Sequence, residues 1–370
     1  MNHKLKLLTT AVLAIGLLAG CGSNNGTNNS ANNNDTANSG NSGTPTETNA
    51  TATPDTSKAI DVLKISFVPS RDPEQIITTT EPLKELLKSQ LATQGYTINN
   101  IQIDVGTTYE AVGEALSAGT TDVGFIPGGT YTLYDDGAEV ILTSTRKALS
   151  IDSDHAKDWN DNKPTTGLDD QQASYYRSLF LAGPSAKGQE LAAKVNNGEE
   201  LTWEDLNSAS WAVMSTSSSA GYIYPTLWLQ DKFGKGITDL AKVMQSDSYN
   251  SSFARLAVGQ ADVIVAFADA RRDNEENWTS EYGGKGSIWD ETNVIAVTQP
   301  IYNDTISVSK NSPIMTDDLK KELQEAFIAI AGTAEGKEVI AIYSHEGYEV
   351  AQSSDYDGER DAQEIIRSMR

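Results

Sequence analysis

From residue 62 onward, short apolar runs alternate with stretches of helical spacing. Residues 62–68 (VLKISFV) predict a first strand closed by Pro69, and Leu83, Leu86, Leu87 and Leu91 then recur at the spacing of one helix face. Residues 101–105 predict a second strand. Residues 110–118 predict a short helix with Val112, Ala115 and Leu116 on one side, and residues 122–126 a third strand ended by Pro127-Gly128-Gly129. Residues 139–146 read as another strand. Repeated strand–helix–strand units predict an α/β fold with a parallel sheet. Ligands of such sheets sit beyond the carboxyl ends of the strands, where Tyr109 and the 128–131 turn fall.

Residues 147–173 are polar and poor in aliphatics, and read as a surface excursion. Asp158, Asn160 and Asn162, with Asp169 at the twelfth position, echo a calcium loop. Lys163 stands where that loop needs glycine, so no metal is expected. The run 175–182 (YYRSLFLA) predicts a strand that carries the chain into a second lobe. Residues 188–195 and 251–258 predict helices there, and residues 211–214 and 263–267 strands. Residues 293–298 (NVIAVT) suit a strand crossing back, followed by an amphipathic helix over 316–331 with Leu319, Leu323, Phe327 and Ile330 inward, and another over 337–343. The tail from Tyr356 predicts a last helix packed on the first lobe. Lobe 1 is thus expected to comprise residues 58–175 and 296–370, and lobe 2 residues 176–295.

The densest local signal lies after the strand at 211–214. Five consecutive hydroxyl residues, 215–219, are followed by Ala220 and Gly221, and then Tyr222, Ile223, Leu227 and Leu229 begin a helix. A strand, a small polar turn and a helix start together gather backbone N–H groups that have no intrahelical partner, at the positive end of the helix dipole. Such a site suits an anion. A plain N-cap in a flexible serine-rich turn explains the same residues.

At the other end, His3, Lys4 and Lys6 precede an apolar run over residues 7–18, too short to span a bilayer and suited to a signal peptide. The run ends in Leu18-Ala19-Gly20-Cys21, the form of a lipoprotein cleavage box, so residues 1–20 are expected to be removed and Cys21 to be lipidated. Cys21 is the sole cysteine, which excludes an intrachain disulfide. Residues 21–57, mostly Asn, Ser, Thr, Gly and Ala, cannot form a core and predict a disordered tether. The formal net charge of −23 argues against nucleic acid and against broad contact with anionic membranes. Motifs for a serine hydrolase, a P-loop or a zinc hydrolase are absent. His3, His155 and His345 are too scattered to supply a base or a metal cluster, so no enzyme and no cofactor is expected.

Several stretches, in order, resemble the phosphate/phosphite/phosphonate-binding proteins of ABC importers. They are residues 109–116 (YEAVGEAL) with Gly119 and residues 122–125; Tyr176-Arg177-Ser178; Asp205-Leu206; residues 218–222 (SSAGY) with Pro225; residues 258–262 (VGQAD); Tyr302-Asn303-Asp304; Gly347-Tyr348; and Asp355-Tyr356. The resemblance covers nearly all of residues 60–370. It implies a two-lobed periplasmic-binding-protein-like type 2 fold, a monomer with a ligand cleft between its lobes, and a permease and an ATPase as partners. It also implies an oxyanion held by neutral donors, without formal positive charge. Tyr109 and Tyr131 would be the tyrosines, and Ser218 and Ser219 the first turn residues. Ala220 replaces a third serine, for which Ser217 could substitute if the register slips by one. Tyr249 stands where the family often has a histidine. Asp269 and Asp304 fall where carboxylates would meet the ammonium end of an aminoalkyl ligand. Set against this, Asp269 could pair with Arg271 or Arg272, Asp304 could cap a turn, and Tyr109 could be a core-edge aromatic with a wet hydroxyl. The ligand expected is a phosphonate, phosphite or phosphate. A receptor for a different small solute on the same frame is the alternative, since a fold does not fix a ligand.

Overall fold

Residues 58–368 are described by the computed structural model; the expected signal segment 1–20, Cys21 and the tether to residue 57 lie outside the described residues. Strands β1 (Lys58–Phe67), β2 (Tyr96–Val105), β3 (Val123–Ile126), β4 (Ala138–Leu149) and β5 (Gly167–Ala173) enter a first sheet. After the two-residue strand β6 (Tyr175–Tyr176), strands β7 (Ser178–Ala182), β8 (Trp211–Val213), β9 (Val243–Gln245), β10 (Val263–Phe267) and β11 (Asn293–Val297) build a second. Strand β12 (Ile301–Tyr302) leads back to β13 (Thr305–Ser309) and β14 (Gly347–Val350) in the first. The first sheet runs β14-β4-β13-β3-β1-β2 with β5 on β4, and the second runs β11-β7-β10-β8-β9. Every residue of β3, β7, β10 and β11 is buried, as expected of strands covered on both faces.

Both sheets are mixed, where the repeated units predict a parallel one. β1 runs parallel to β2 and β3, as does β8 to β9 and β10, so the strand–helix–strand units behave as expected. Two of the reversed strands are delivered by crossings: β13 enters between β3 and β4 antiparallel to both, and β7 lies antiparallel to β10; β5 and β14 also run antiparallel to β4. A chain returning from the other lobe arrives at the opposite end of the sheet from one delivered by a covering helix. The run 293–298 also differs from expectation. β11 stays in the second sheet against β7, and the crossing follows it. There β12 pairs with β6, Ile301 opposite Tyr176, so both crossings lie side by side in one short ribbon.

The polar excursion is built rather than loose. β5 pairs with the end of β4, and a short helix, Ala156–Asp161, docks on lobe 2. Asn160 is buried there. Its Nδ2 donates to the Val294 carbonyl (2.9 Å) and its Oδ1 accepts from the Val294 N–H (2.7 Å), so one side chain satisfies both groups of an edge-strand residue. Lys163 donates to the Thr292 carbonyl and to Asn293, and Thr165 to Asp269. Of the residues in the calcium-like pattern, Asp158 accepts from Ser153 and Asp169 pairs with Lys147. Among the described residues no group of His, Cys, Asp and Glu is arranged to hold a metal ion.

The last helix, Asp357–Ser368, packs on both lobes rather than the first alone. It touches helix Gly128–Leu133 and helix Tyr224–Phe233. Glu359 is 1% exposed, and neither carboxylate oxygen has a hydrogen-bond partner. Burial pushes its pKa from 4.5 up to about 8.

Two outcomes are expected. Asn160→Ala leaves the Val294 N–H and C=O unpaired and should destabilise by about 2 kcal/mol or more in urea unfolding. Glu359 keeps its proton in the folded protein between pH 4.5 and about 8, whereas the unfolded chain releases it. Stability should therefore fall as pH rises through that window. Glu359→Gln should flatten this part of the melting-temperature profile, and an unchanged profile would contradict the account.

Candidate functional site

Three helix starts converge between the lobes. Tyr109 is the first residue of helix Tyr109–Ala118, capped by Thr108, whose Oγ1 accepts from the Ala111 N–H at 3.0 Å. Tyr249 opens helix Tyr249–Ala257 after the Ser248 cap. Ser218 caps the π-helical turn Ser219–Ile223, its Oγ accepting from the Gly221 N–H at 3.2 Å. Each cap is a hydroxyl residue after extended backbone, the arrangement that turns a chain into a helix at a chosen residue. The consequence is three positive dipole ends around one space.

That space is a cavity of about 40 Å³, enough for about three water molecules. Ser70, Arg71, Tyr109, Arg146, Asp304 and His345 line it from lobe 1, and Ser218, Tyr249 and Phe267 from lobe 2. Two guanidinium groups therefore face a site for which the sequence suggested neutral donors only. Arg71 is 6% exposed; it pairs with Asp273 (2.7 Å) and lies over the Phe267 ring at 4.6 Å. Arg146 pairs with Asp304 (2.6 Å) and lies over Tyr176 at 4.5 Å. Neither has a motif. The available signal was position: Arg146 sits where a buried strand ends, and Arg71 in the turn just beyond the carboxyl end of β1.

Among the expected site residues, Tyr109, Ser218, Tyr249 and Asp304 line the cavity, whereas Tyr131, Ser217, Ser219, Ala220 and Asp269 do not. Alternate serines point to the lobe seam instead. Ser219 Oγ accepts from the Gly129 N–H at 3.0 Å, and Thr130 Oγ1 donates to the Ser217 carbonyl (3.2 Å) and meets its Oγ (3.1 Å). Ser215 donates to the Glu110 carboxylate, and the Tyr249 N–H donates to the Ser70 carbonyl at 3.2 Å. Gly129 is required for this approach, because a Cβ there would lie 2.8 Å from the Ser217 carbonyl oxygen of the other lobe. Ala220 offers its carbonyl to Ser178 Oγ (2.6 Å). Tyr131 donates to Ser353 (3.1 Å) within lobe 1. Asp269 caps helix Ala270–Ser280 and forms a buried ion pair with Arg271 (2.8 Å), the simpler of its two sequence readings.

Protonation follows from burial. Burial pushes the Tyr109 hydroxyl well up and that of Tyr249 up to about 12, so both remain O–H donors. Burial lowers the pKa of His345 despite Asp304 at 3.6 Å, which keeps the imidazole neutral, and its Nε2 has no hydrogen-bond partner. Burial alone would raise Asp304, but Arg146 and His345 outweigh it and hold the carboxyl below its ordinary value. At neutral pH the lining thus presents two guanidinium cations, one carboxylate and a set of neutral hydroxyls that includes those of Tyr109, Ser218 and Tyr249. This set favours a small anion with several acceptor oxygens.

Solved structures share this architecture. A binding protein component of an ABC phosphonate transporter from Pseudomonas aeruginosa superposes with a TM-score of 0.62 at 14% identity, covering 84% of this chain and 87% of that one. A Prochlorococcus marinus protein in complex with methylphosphonate gives 0.60 at 15% identity, covering 83% and 98%. A Xanthomonas citri protein bound to ATP gives 0.58 at 13% identity, covering 84% and 98%. No curated protein matches the chain. At these identities the superpositions speak for the two-lobed fold. Residues 65–356, most of the chain, match the model of the periplasmic substrate-binding proteins of phosphonate ABC transporters, extracytoplasmic transport components, and the chain belongs to that family.

Proposed function

We propose that the protein captures a phosphonate in the cavity between its lobes and delivers it to a permease and its ATPase, as a monomer tethered to the membrane by lipid on Cys21. The observation that carries this reading is the donor set: Arg71, Arg146 and Tyr109 from one lobe and Ser218 and Tyr249 from the other, around one cavity of about 40 Å³. A tetrahedral oxyanion can accept from both sides at once, so its affinity differs between open and closed lobes, and that difference drives closure. Phosphonyl oxygens take the guanidinium and hydroxyl donors in directional, charge-assisted bonds. Asp304 already holds Arg146, and Asp269 already holds Arg271. Neither carboxylate is free for an ammonium group, which favours methylphosphonate over 2-aminoethylphosphonate.

Calorimetric titration with methylphosphonate, 2-aminoethylphosphonate, phosphite and phosphate tests this. Methylphosphonate is expected to bind, and more tightly than the amino compound. Arg71→Met should weaken it by about 1.5–3 kcal/mol, the range for a hydrogen bond to a charged group, and Tyr249→Phe by about 1 kcal/mol. A folded protein that gives no heat with any of the four sinks the phosphorus reading. For the anchor, Cys21→Ser should move the protein from the membrane to the soluble fraction, and persistence at the membrane counts against lipidation.

A further inference from the structure

A second cavity, of about 300 Å³, adjoins the first, and Arg146, Tyr176, Phe267 and His345 line both. Its far wall is the excursion: Leu149, Ile151, Asp152 and Trp159 face lobe 2 residues at 268–273 across it. The charges around it are paired with one exception. Asp152 holds Arg177 (2.5 Å), Asp269 holds Arg271 (2.8 Å), Asp273 holds Arg71 (2.7 Å), and Lys147 lies between Asp169 (2.9 Å) and Glu346 (3.9 Å). Arg272, exposed and in the lining, has no ion-pair partner among the described residues. Its guanidinium rests on the backbone of β5, where a Cβ on Gly167 would meet both terminal nitrogens at 3.2 and 3.3 Å. At the shared wall, Arg146 Nε and His345 Nε2 are buried and make no hydrogen bond. An apolar arm suits the rings of Tyr176 and Phe267, an anionic terminus suits Arg272, and no unpaired carboxylate is offered to a cation.

We infer that the ligand is a phosphonate whose carbon substituent ends in a carboxylate, with the phosphonyl group in the small cavity and the arm reaching past Tyr176 and Phe267 to Arg272. This rests on the phosphonate reading above and adds the substituent. The polar excursion, by walling the second cavity, sets the specificity of the site.

The test is calorimetric titration of the full chain with methylphosphonate, propylphosphonate, phosphonoacetate, phosphonopropionate and phosphonobutyrate. At least one carboxylate compound should bind about tenfold or more tighter than propylphosphonate, the gain of one charge-assisted contact. Arg272→Ala, an exposed substitution, should abolish that preference while leaving methylphosphonate affinity unchanged. If methylphosphonate binds but the carboxylates gain nothing, or the preference survives Arg272→Ala, the inference is overturned and the phosphonate reading stands. If no compound binds the folded protein, both fall.

Discussion

The Arg146–Asp304 pair ties the crossing between the lobes to the smaller cavity. Arg146 closes the buried part of β4, and Asp304 lies in the second crossing between β12 and β13. The Asp304 backbone is fixed as well, its carbonyl accepting from the Ser144 N–H at 2.9 Å. A buried ion pair stabilises little by itself, because desolvation opposes the Coulomb attraction, but breaking one is costly. Its effect here is on position and charge. It keeps Asp304 ionised beside a neutral His345 and holds the guanidinium over Tyr176 and 5.5 Å from the Phe267 centroid.

Around that pair the lobes close on small residues. The serine run looks like one oxyanion cradle, but its side chains divide between two jobs. Ser218 lines the cavity, while Ser215, Ser217 and Ser219 bond across the seam to Glu110, Thr130 and Gly129. These bonds form only when the lobes meet. They are mostly neutral and individually modest, and they define the geometry of the seam.

The excursion after β4 changes what a two-strand hinge can do. Its helix is bonded to β11 of the second lobe through Asn160, while its base is paired to β4 of the first. The last helix also touches both lobes. The excursion and the last helix thus join the two lobes alongside the β6–β12 ribbon. The same segment supplies a wall of the larger cavity, so one piece of chain joins the lobes and lines the space beside the smaller cavity.

Local pattern carried much of the fold. The apolar runs became strands, the leucines at 83, 87 and 91 became one buried helix face, and the serine-rich turn led into a helix, while the helices expected from residues 110 and 251 start at Tyr109 and Tyr249. Those features follow from side-chain periodicity and from backbone groups a few residues apart, which a sequence displays directly. The antiparallel course of β13, the retention of β11 in the second sheet and the docking of the excursion did not show, because strand pairing is decided by residues far apart in the chain. The same limit governed the site. That a serine lines the cavity or the seam, that Asp269 is consumed by Arg271, and that Arg71 and Arg146 bring charge to a space with no cationic motif depends on which surfaces meet when the lobes close. Sequence alone determined most of the elements and some of the hydroxyl donors; the tertiary structure added the two guanidinium groups and decided which donors share one cavity, since a buried charge settles only where folding has placed its partner.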